Sequence, residues 1–165
     1  MFLLDTGIVY ELRRAKSGEA DPGLAAWAAR APRHNLFMSA LTLLELETGA
    51  RRLERKSKGD SQAVITWIED QVLAAFEGRV LPIDSAIVRR AAQLGYSDAR
   101  DGLLAATAVE HGMTLVTRHT AAFKSGKVKL FNPWGYKPKD EDEDADWRQA
   151  ARTSSLWLKN LFVRS

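Results

Sequence analysis

The chain has 165 residues, 45% of them hydrophobic and 27% charged, with a net charge of +3. That suits one domain with a buried core, and no apolar run approaches the roughly 18 residues a membrane span needs. Cysteine is absent, which excludes disulfides, thiolate zinc sites and cysteine nucleophiles. The first ten residues, MFLLDTGIVY, carry an acid at position 5 and no basic stretch, unlike a secretory signal. An intracellular, cytoplasmic protein with no membrane attachment is therefore expected. Six basic and six acidic side chains cancel within residues 137–165, so the whole positive excess lies in 1–136. A mildly basic globular part is compatible with a polyanionic substrate.

Phe2-Leu3-Leu4, followed by Asp5-Thr6-Gly7, predicts a buried first strand with a polar tip. Residues 8–16 predict a helix, and residues 23–31, GLAAWAARA, a second one closed by Pro32. Leu36-Phe37-Met38-Ser39 predicts a short strand. Apolar residues at 41, 43, 44, 46, 50 and 53 predict a helix over 41–53. Val64, Ile65, Ile68, Val72 and Phe76 repeat that pattern over 61–76, and Gly78 ends it. Val80-Leu81-Pro82-Ile83 predicts a strand that Pro82 assigns to an edge or terminus. Asp84 is a suitable N-cap for a helix over 85–94. Asp98 or Asp101 opens a further helix over 102–111, stopped by Gly112. Thr114-Leu115-Val116-Thr117 predicts a strand, and Val128-Lys129-Leu130-Phe131 a last one before Asn132-Pro133.

Strands alternating with helices predict an α/β sandwich with a mainly parallel central sheet. A linker begins near Pro133, and residues 137–146, KPKDEDEDAD, are a charged, low-complexity stretch. Residues 147–163 predict a terminal helix with Trp147, Ala151, Leu158 and Leu161 or Phe162 on one side. The expected organisation is thus a globular unit over 1–136 and a charged linker plus amphipathic helix over 137–165.

Three acids stand where chemistry would need them. Asp5 closes the first strand, Glu45 lies early in an apolar helix, and Asp101 sits at the start of another. Crevices of open parallel sheets lie beyond the carboxyl ends of the strands. Asp5 would project there, with Glu45 and Asp101 reaching in from neighbouring helices. Carboxylates that share a site repel, which implies a cation, and oxygen-only ligands favour Mg²⁺ or Mn²⁺. Each acid also has a plainer reading. Asp5 caps the next helix; Glu45, three residues after Thr42, completes a capping box; Asp101 complements a helix dipole.

The combination resembles a family. Leu3-Leu4-Asp5-Thr6 resembles the opening of PIN-domain proteins. Ser39-Ala40-Leu41-Thr42-Leu43-Leu44-Glu45-Leu46 resembles their second acidic segment. Asp101-Gly102-Leu103-Leu104-Ala105-Ala106-Thr107-Ala108, with Glu110-His111-Gly112 and Thr114-Leu115-Val116-Thr117-Arg118, resembles their third block. Phe131-Asn132-Pro133-Trp134 matches the ending of the VapC and FitB toxin-like branch. The resemblance spans residues 2–134. It implies a PIN-like three-layer α/β/α sandwich and a metal-dependent endoribonuclease toxin of a type II toxin–antitoxin pair. It implies that Asp5, Glu45 and Asp101 hold Mg²⁺ or Mn²⁺ and that water activated by the ion attacks an RNA phosphodiester in line. Thr6, Ser39, Thr117 and Arg118 match positions lining that site.

The chain departs from the family at His119 and Ala122, where a polar or acidic pair is usual, and Gly7 stands where Asn or Ser is usual. The fourth acidic position is therefore missing. Three carboxylates with water suffice for Mg²⁺, or His119 supplies a nitrogen that favours Mn²⁺; Asp98 is a further candidate acid one turn before Asp101. Arg51, Arg52, Arg55, Lys56 and Lys58 form a cluster that either holds RNA phosphates or is a solvated helix end. Trp27, Trp67 and Phe76 exceed what a small core obviously needs, which points either to an interface or to a core that is itself rich in aromatics. The resemblance implies a homodimer, a cognate antitoxin, and contact with DNA only through that antitoxin. Two other readings stay open: a PIN RNA-processing nuclease without an antitoxin, and a catalytically degraded PIN fold serving as a binding module. The tail over 137–165 either restrains activity by folding onto the basic face or onto a dimer mate, or is mobile.

Overall fold

In a computed structural model, which describes residues 1–124 and 127–138, β1 (Phe2–Leu4) occupies the middle of a five-stranded sheet. The chain continues through α1 (Thr6–Arg13), a 3₁₀ turn (Arg14–Ser17), α2 (Pro22–Arg30) and a second 3₁₀ turn (Arg33–Asn35) into β2 (Leu36–Ser39). Then follow α3 (Ala40–Glu54), α4 (Lys58–Trp67), a π turn (Ile68–Val72), α5 (Leu73–Ala75) and β3 (Val80–Leu81). α6 (Ser85–Leu94), α7 (Ala99–Glu110), β4 (Thr114–Val116), a 3₁₀ turn (Thr120–Phe123) and β5 (Lys129–Phe131) complete the unit.

The strand order is β3-β2-β1-β4-β5, and every pairing is parallel. Phe2 aligns with Leu36 on one side and Thr114 on the other. From β1 the chain moves outward through β2 and β3, then returns to add β4 on the opposite side. The order therefore reverses between β1 and β4, and a crevice opens at the carboxyl ends of these two strands.

Successive strand residues point to opposite faces, and both faces are buried, as an all-parallel sheet requires. Leu4, Leu36, Met38 and Val116 join a core with Ile8, Val9 and Leu12 of α1, Leu24 of α2 and Val64 of α4. Leu3 and Leu115 face the other way, against Leu104, Ala105 and Ala108 of α7. This is the three-layer α/β/α arrangement expected from the alternating pattern. Burying each such leucine contributes about 1.5–3 kcal/mol. Among the described residues, no helix is long and apolar enough to cross a membrane.

Several boundaries differ from expectation for local reasons. α1 starts at Thr6 rather than residue 8, because the Asp5 carbonyl already accepts from the Ile8 and Val9 amides. The helix expected from residue 61 begins at Lys58, where the Ser57 hydroxyl accepts from the Asp60 amide at 3.3 Å. Asp98, not Asp101, caps α7, accepting from the Arg100 amide at 2.7 Å. Asp84 caps α6 as expected, accepting from Ile87 at 2.9 Å. β3 is an edge strand, in keeping with Pro82.

Trp27, Trp67 and Phe76 are buried, which selects the core reading of these aromatics over the interface reading. Trp27 packs its ring 5.4 Å from both Phe2 and Phe131, and Trp67 lies 5.9 Å from Tyr10. They fill a core that three layers of short elements leave wide. Gly23 of α2 lets residues 133–136 close over this core: a Cβ there would stand 2.6–2.7 Å from Tyr136 N, Gly135 N and Pro133 O. Residues 139–165, which hold most of the charged linker and the whole expected terminal helix, lie outside the described residues.

Candidate active site

The ladder hydrogen bonds run one residue past the strands and aim the site. The Asp5 amide donates to Val116 O at 3.0 Å, and the Thr117 amide donates to Phe131 O at 3.0 Å. Asp5 and Thr117 are thereby held side by side where the strand order reverses. The Thr117 hydroxyl donates to Asp5 Oδ2 at 2.6 Å and accepts from the His119 amide at 3.0 Å. Asp5 stands at the N-cap of α1, but its side chain makes no capping bond. Its carboxylate is turned to Thr117 instead, which removes the plain capping reading.

Glu45 lies within α3, whose cap is Ser39; the Ser39 hydroxyl accepts from the Leu41 amide at 3.2 Å. Thr42 is buried inside the helix and donates to Leu4 O at 3.4 Å. The Thr42–Glu45 capping box is therefore corrected: both residues sit one turn too late. Glu45 instead meets distant partners. Its Oε2 accepts from the Thr6 hydroxyl. Its Oε1 accepts from Arg100 Nε at 2.6 Å and from a terminal nitrogen of the same guanidinium.

Asp101 occupies the first turn of α7. It joins Asp5 and Glu45 in one cleft of about 300 Å³, walled by Leu41, Leu104 and Phe123 and rimmed by Arg100, His119 and Ala122. Burial, and then the negative charges of Asp98, Asp5 and Glu45, push the Asp101 carboxyl above its ordinary value of 3.8, against the opposing pull of Arg100. The hydrogen bond and charge of Glu45 in turn hold the Arg100 guanidinium more firmly protonated.

Three acids from distant segments thus line one cleft. Crowded negative charge and an oxygen-only donor set suit a hard divalent cation. Asp5 and Asp101 fit such an ion by donor type and charge. Glu45 fits less well, because both its oxygens are engaged. Among the described residues, no three Asp, Glu or His side chains stand together as a ready-made metal cage. The three acids expected from the sequence thus share one cleft, and Glu45 is in addition held by Arg100.

The other expected site residues divide. Thr6 and Thr117 bond the acids directly. Ser39 is buried and caps α3. Arg118 lies over the Trp134 ring at 5.4 Å and does not line the cleft. His119 is exposed on the cleft rim, and Asp98 serves as the cap of α7. Of the basic cluster, Arg52 alone lines a second cleft of about 260 Å³ that shares Leu41, Glu45 and Arg100 with the first. Arg100 was missed in the sequence. An arginine directly before Asp101 was its signal, but nothing local announces a partner 55 residues away.

The family model for the PIN domain matches residues 2–125. Toxin FitB of Neisseria gonorrhoeae is 33% identical over 142 residues, 81% of this chain and 99% of the relative. VapC ribonuclease Y4jK of Sinorhizobium fredii is 35% identical over 144 residues, 81% of this chain and 98% of the relative. A solved structure of FitAB bound to an IR36 DNA fragment matches with a TM-score of 0.73 and 31% identity, over 84% of this chain and 99% of that one.

Proposed function

Since this chain belongs to the PIN domain family, we infer that it is a divalent-metal-dependent endoribonuclease, the toxin component of a VapBC-like toxin–antitoxin pair. The observation that carries this reading is the single cleft in which Asp5, Glu45 and Asp101 meet at the strand-order reversal. Relatives named as a toxin and as a VapC ribonuclease, each matched over nearly its whole length, support it. The nuclease unit is residues 1–136. The substrate is RNA, and the site of action is the cytoplasm. The partners are a cognate antitoxin and a second copy of the chain, with DNA reached only through the antitoxin, in keeping with the FitAB–DNA structure.

Asp5 and Asp101 are the residues that would hold Mg²⁺ or Mn²⁺, with Glu45 as the third acid and His119 at the rim. When bound, the ion neutralises phosphate charge and makes water more acidic. The remaining work belongs to the chain itself. Thr117 fixes the Asp5 carboxylate at 2.6 Å, and Thr6 fixes Glu45. Leu41, Leu104 and Phe123 form an apolar wall that strengthens electrostatic interactions inside the cleft. All three acids act as carboxylates, so activity falls as they protonate.

The test is cleavage of structured RNAs by purified, antitoxin-free protein in Mg²⁺ or Mn²⁺, with EDTA and Asp101→Asn as controls. Cleavage lost in both controls is the expected result. A folded protein that cleaves nothing with either ion would favour a second reading, a PIN-fold binding module without catalysis. Two observations speak for that reading: Glu45 is already paired with Arg100, and the fourth acid is absent at His119 and Ala122.

A further inference from the structure

Arg100 stands between the acid cleft and the second cleft and lines both. Its backbone is anchored, since its amide donates to the Asp98 cap at 2.7 Å. Its side chain is 65% exposed, whereas the Glu45 side chain it meets is 18% exposed. The guanidinium therefore reaches in from solvent and covers an acid that is otherwise largely enclosed. An ion pair with one partner this exposed is screened and weakly held. A divalent cation carries twice the charge and competes for the same Glu45 oxygens.

The second cleft supplies a destination. Glu45 is its one carboxylate, and Arg52 and Arg100 are its cations. Glu45 and Arg52 are seven residues apart on α3, so they share one helix face two turns apart. Among the described residues, Arg52 forms no ion pair with an acid. With Glu45 neutralised by a cation, this cleft is left with two guanidinium groups, whose planar forks match phosphate oxygens.

We propose that Arg100 is a two-position residue that couples metal occupancy to RNA binding. It pairs with Glu45 while the acid cleft lacks a cation; when a cation takes Glu45, it turns to the second cleft and, with Arg52, binds a phosphate of the RNA strand. The proposal rests on the ribonuclease reading and adds a positioning residue and a phosphate subsite to it.

The test uses the full chain, with Arg100→Ala, Arg100→Lys and Arg52→Ala. Mn²⁺ binding is measured by calorimetry without RNA. Arg100→Ala is expected to bind Mn²⁺ about threefold to fivefold more tightly than the unaltered protein, the gain set by loss of an exposed pair; Arg52→Ala is expected to match the unaltered protein. Binding of a 2′-O-methyl RNA is then measured by fluorescence anisotropy with and without Mn²⁺. Mn²⁺ should tighten RNA binding by the unaltered chain, and Arg100→Ala and Arg52→Ala should each lose most of that gain, with Arg100→Lys between. Unchanged Mn²⁺ affinity in Arg100→Ala, alongside intact cleavage by the unaltered chain, overturns the proposal and leaves the ribonuclease reading standing. Absence of both Mn²⁺ binding and cleavage in every variant overturns the two together.

Discussion

The Thr117 hydroxyl donates a 2.6 Å hydrogen bond to Asp5 Oδ2, joining two residues 112 positions apart. Both lie one step beyond the paired ends of β1 and β4, so the bond spans the point where the strand order reverses. Thr117 is fully buried and its oxygen also accepts from the His119 amide. One hydroxyl thus sets the direction of an acid and the path of the loop that carries the cleft rim.

Thr117→Val keeps the shape and removes the bond. It should cost about 1.5 to 2 kcal/mol in stability, the lower part of the range for a hydrogen bond to a charged group, read from urea unfolding. RNA cleavage should fall at least about tenfold, while Thr117→Ser retains most of it. Equal activity in Thr117→Val and the unaltered chain would mean that Asp5 needs no such orientation.

Asp101 gives a pH dependence of known sign. Its folded-state carboxyl is raised, first by burial and then by Asp98, Asp5 and Glu45. The charged form is therefore penalised in the fold. The penalty is absent below the ordinary value of 3.8, grows as pH rises through the raised value, and is complete above it. Asp101→Asn should raise Tm in EDTA at pH 7, and the gain should vanish as pH falls below about 4. A gain that persists unchanged in acid would assign the effect to something other than charge. The same variant should lose cleavage.

His119 lies on the rim of the acid cleft. His119→Asp adds a hard ligand, which suits Mg²⁺ better than an imidazole does. Mg²⁺-supported cleavage should rise several-fold relative to Mn²⁺-supported cleavage. Without the ion, the added charge crowds Asp101 further, so the variant should be less stable in EDTA and more strongly stabilised by Mg²⁺ than the unaltered chain. An unchanged Mg²⁺-to-Mn²⁺ ratio would exclude a role for this position in metal preference.

Gly23 tests the packing of residues 133–136 on α2. A Cβ there meets three backbone atoms at 2.6–2.7 Å, and backbone cannot rotate away. Gly23→Ala should destabilise by about 1 to 3 kcal/mol, the range for overpacking. Urea unfolding measures it, and the loss of packing around Trp27 and Phe131 should appear in tryptophan emission. A variant as stable as the unaltered chain would show that this segment moves off α2 without cost.

Much of the layer arrangement is legible along the chain. Phe2-Leu3-Leu4 and Thr114-Leu115-Val116 are short apolar runs, and the caps Asp84 and Asp98 are local in both sequence and structure. Helix starts were less legible where a serine or a backbone carbonyl supplied the cap, as at Ser57 and Asp5. The aromatics stay undecided in the sequence because hydrophobicity does not tell a wide core from a contact surface. Trp27 belongs to the core only because Phe2 and Phe131 come to lie against it from β1 and β5.

By itself the sequence determined the alternation of strand and helix, the family, and the positions of Asp5, Glu45 and Asp101. Periodicity, capping and short motifs are properties of neighbouring residues, and neighbours are what a chain displays directly. Tertiary structure decided which groups those acids meet: Thr117 for Asp5, Thr6 and Arg100 for Glu45. These partners come together because a parallel sheet with a reversed strand order gathers the ends of distant segments into one crevice. Charge, hydrogen bonding and burial then act across that crevice through space. That is why the local pattern displays Arg100 beside Asp101 but not its pairing with Glu45.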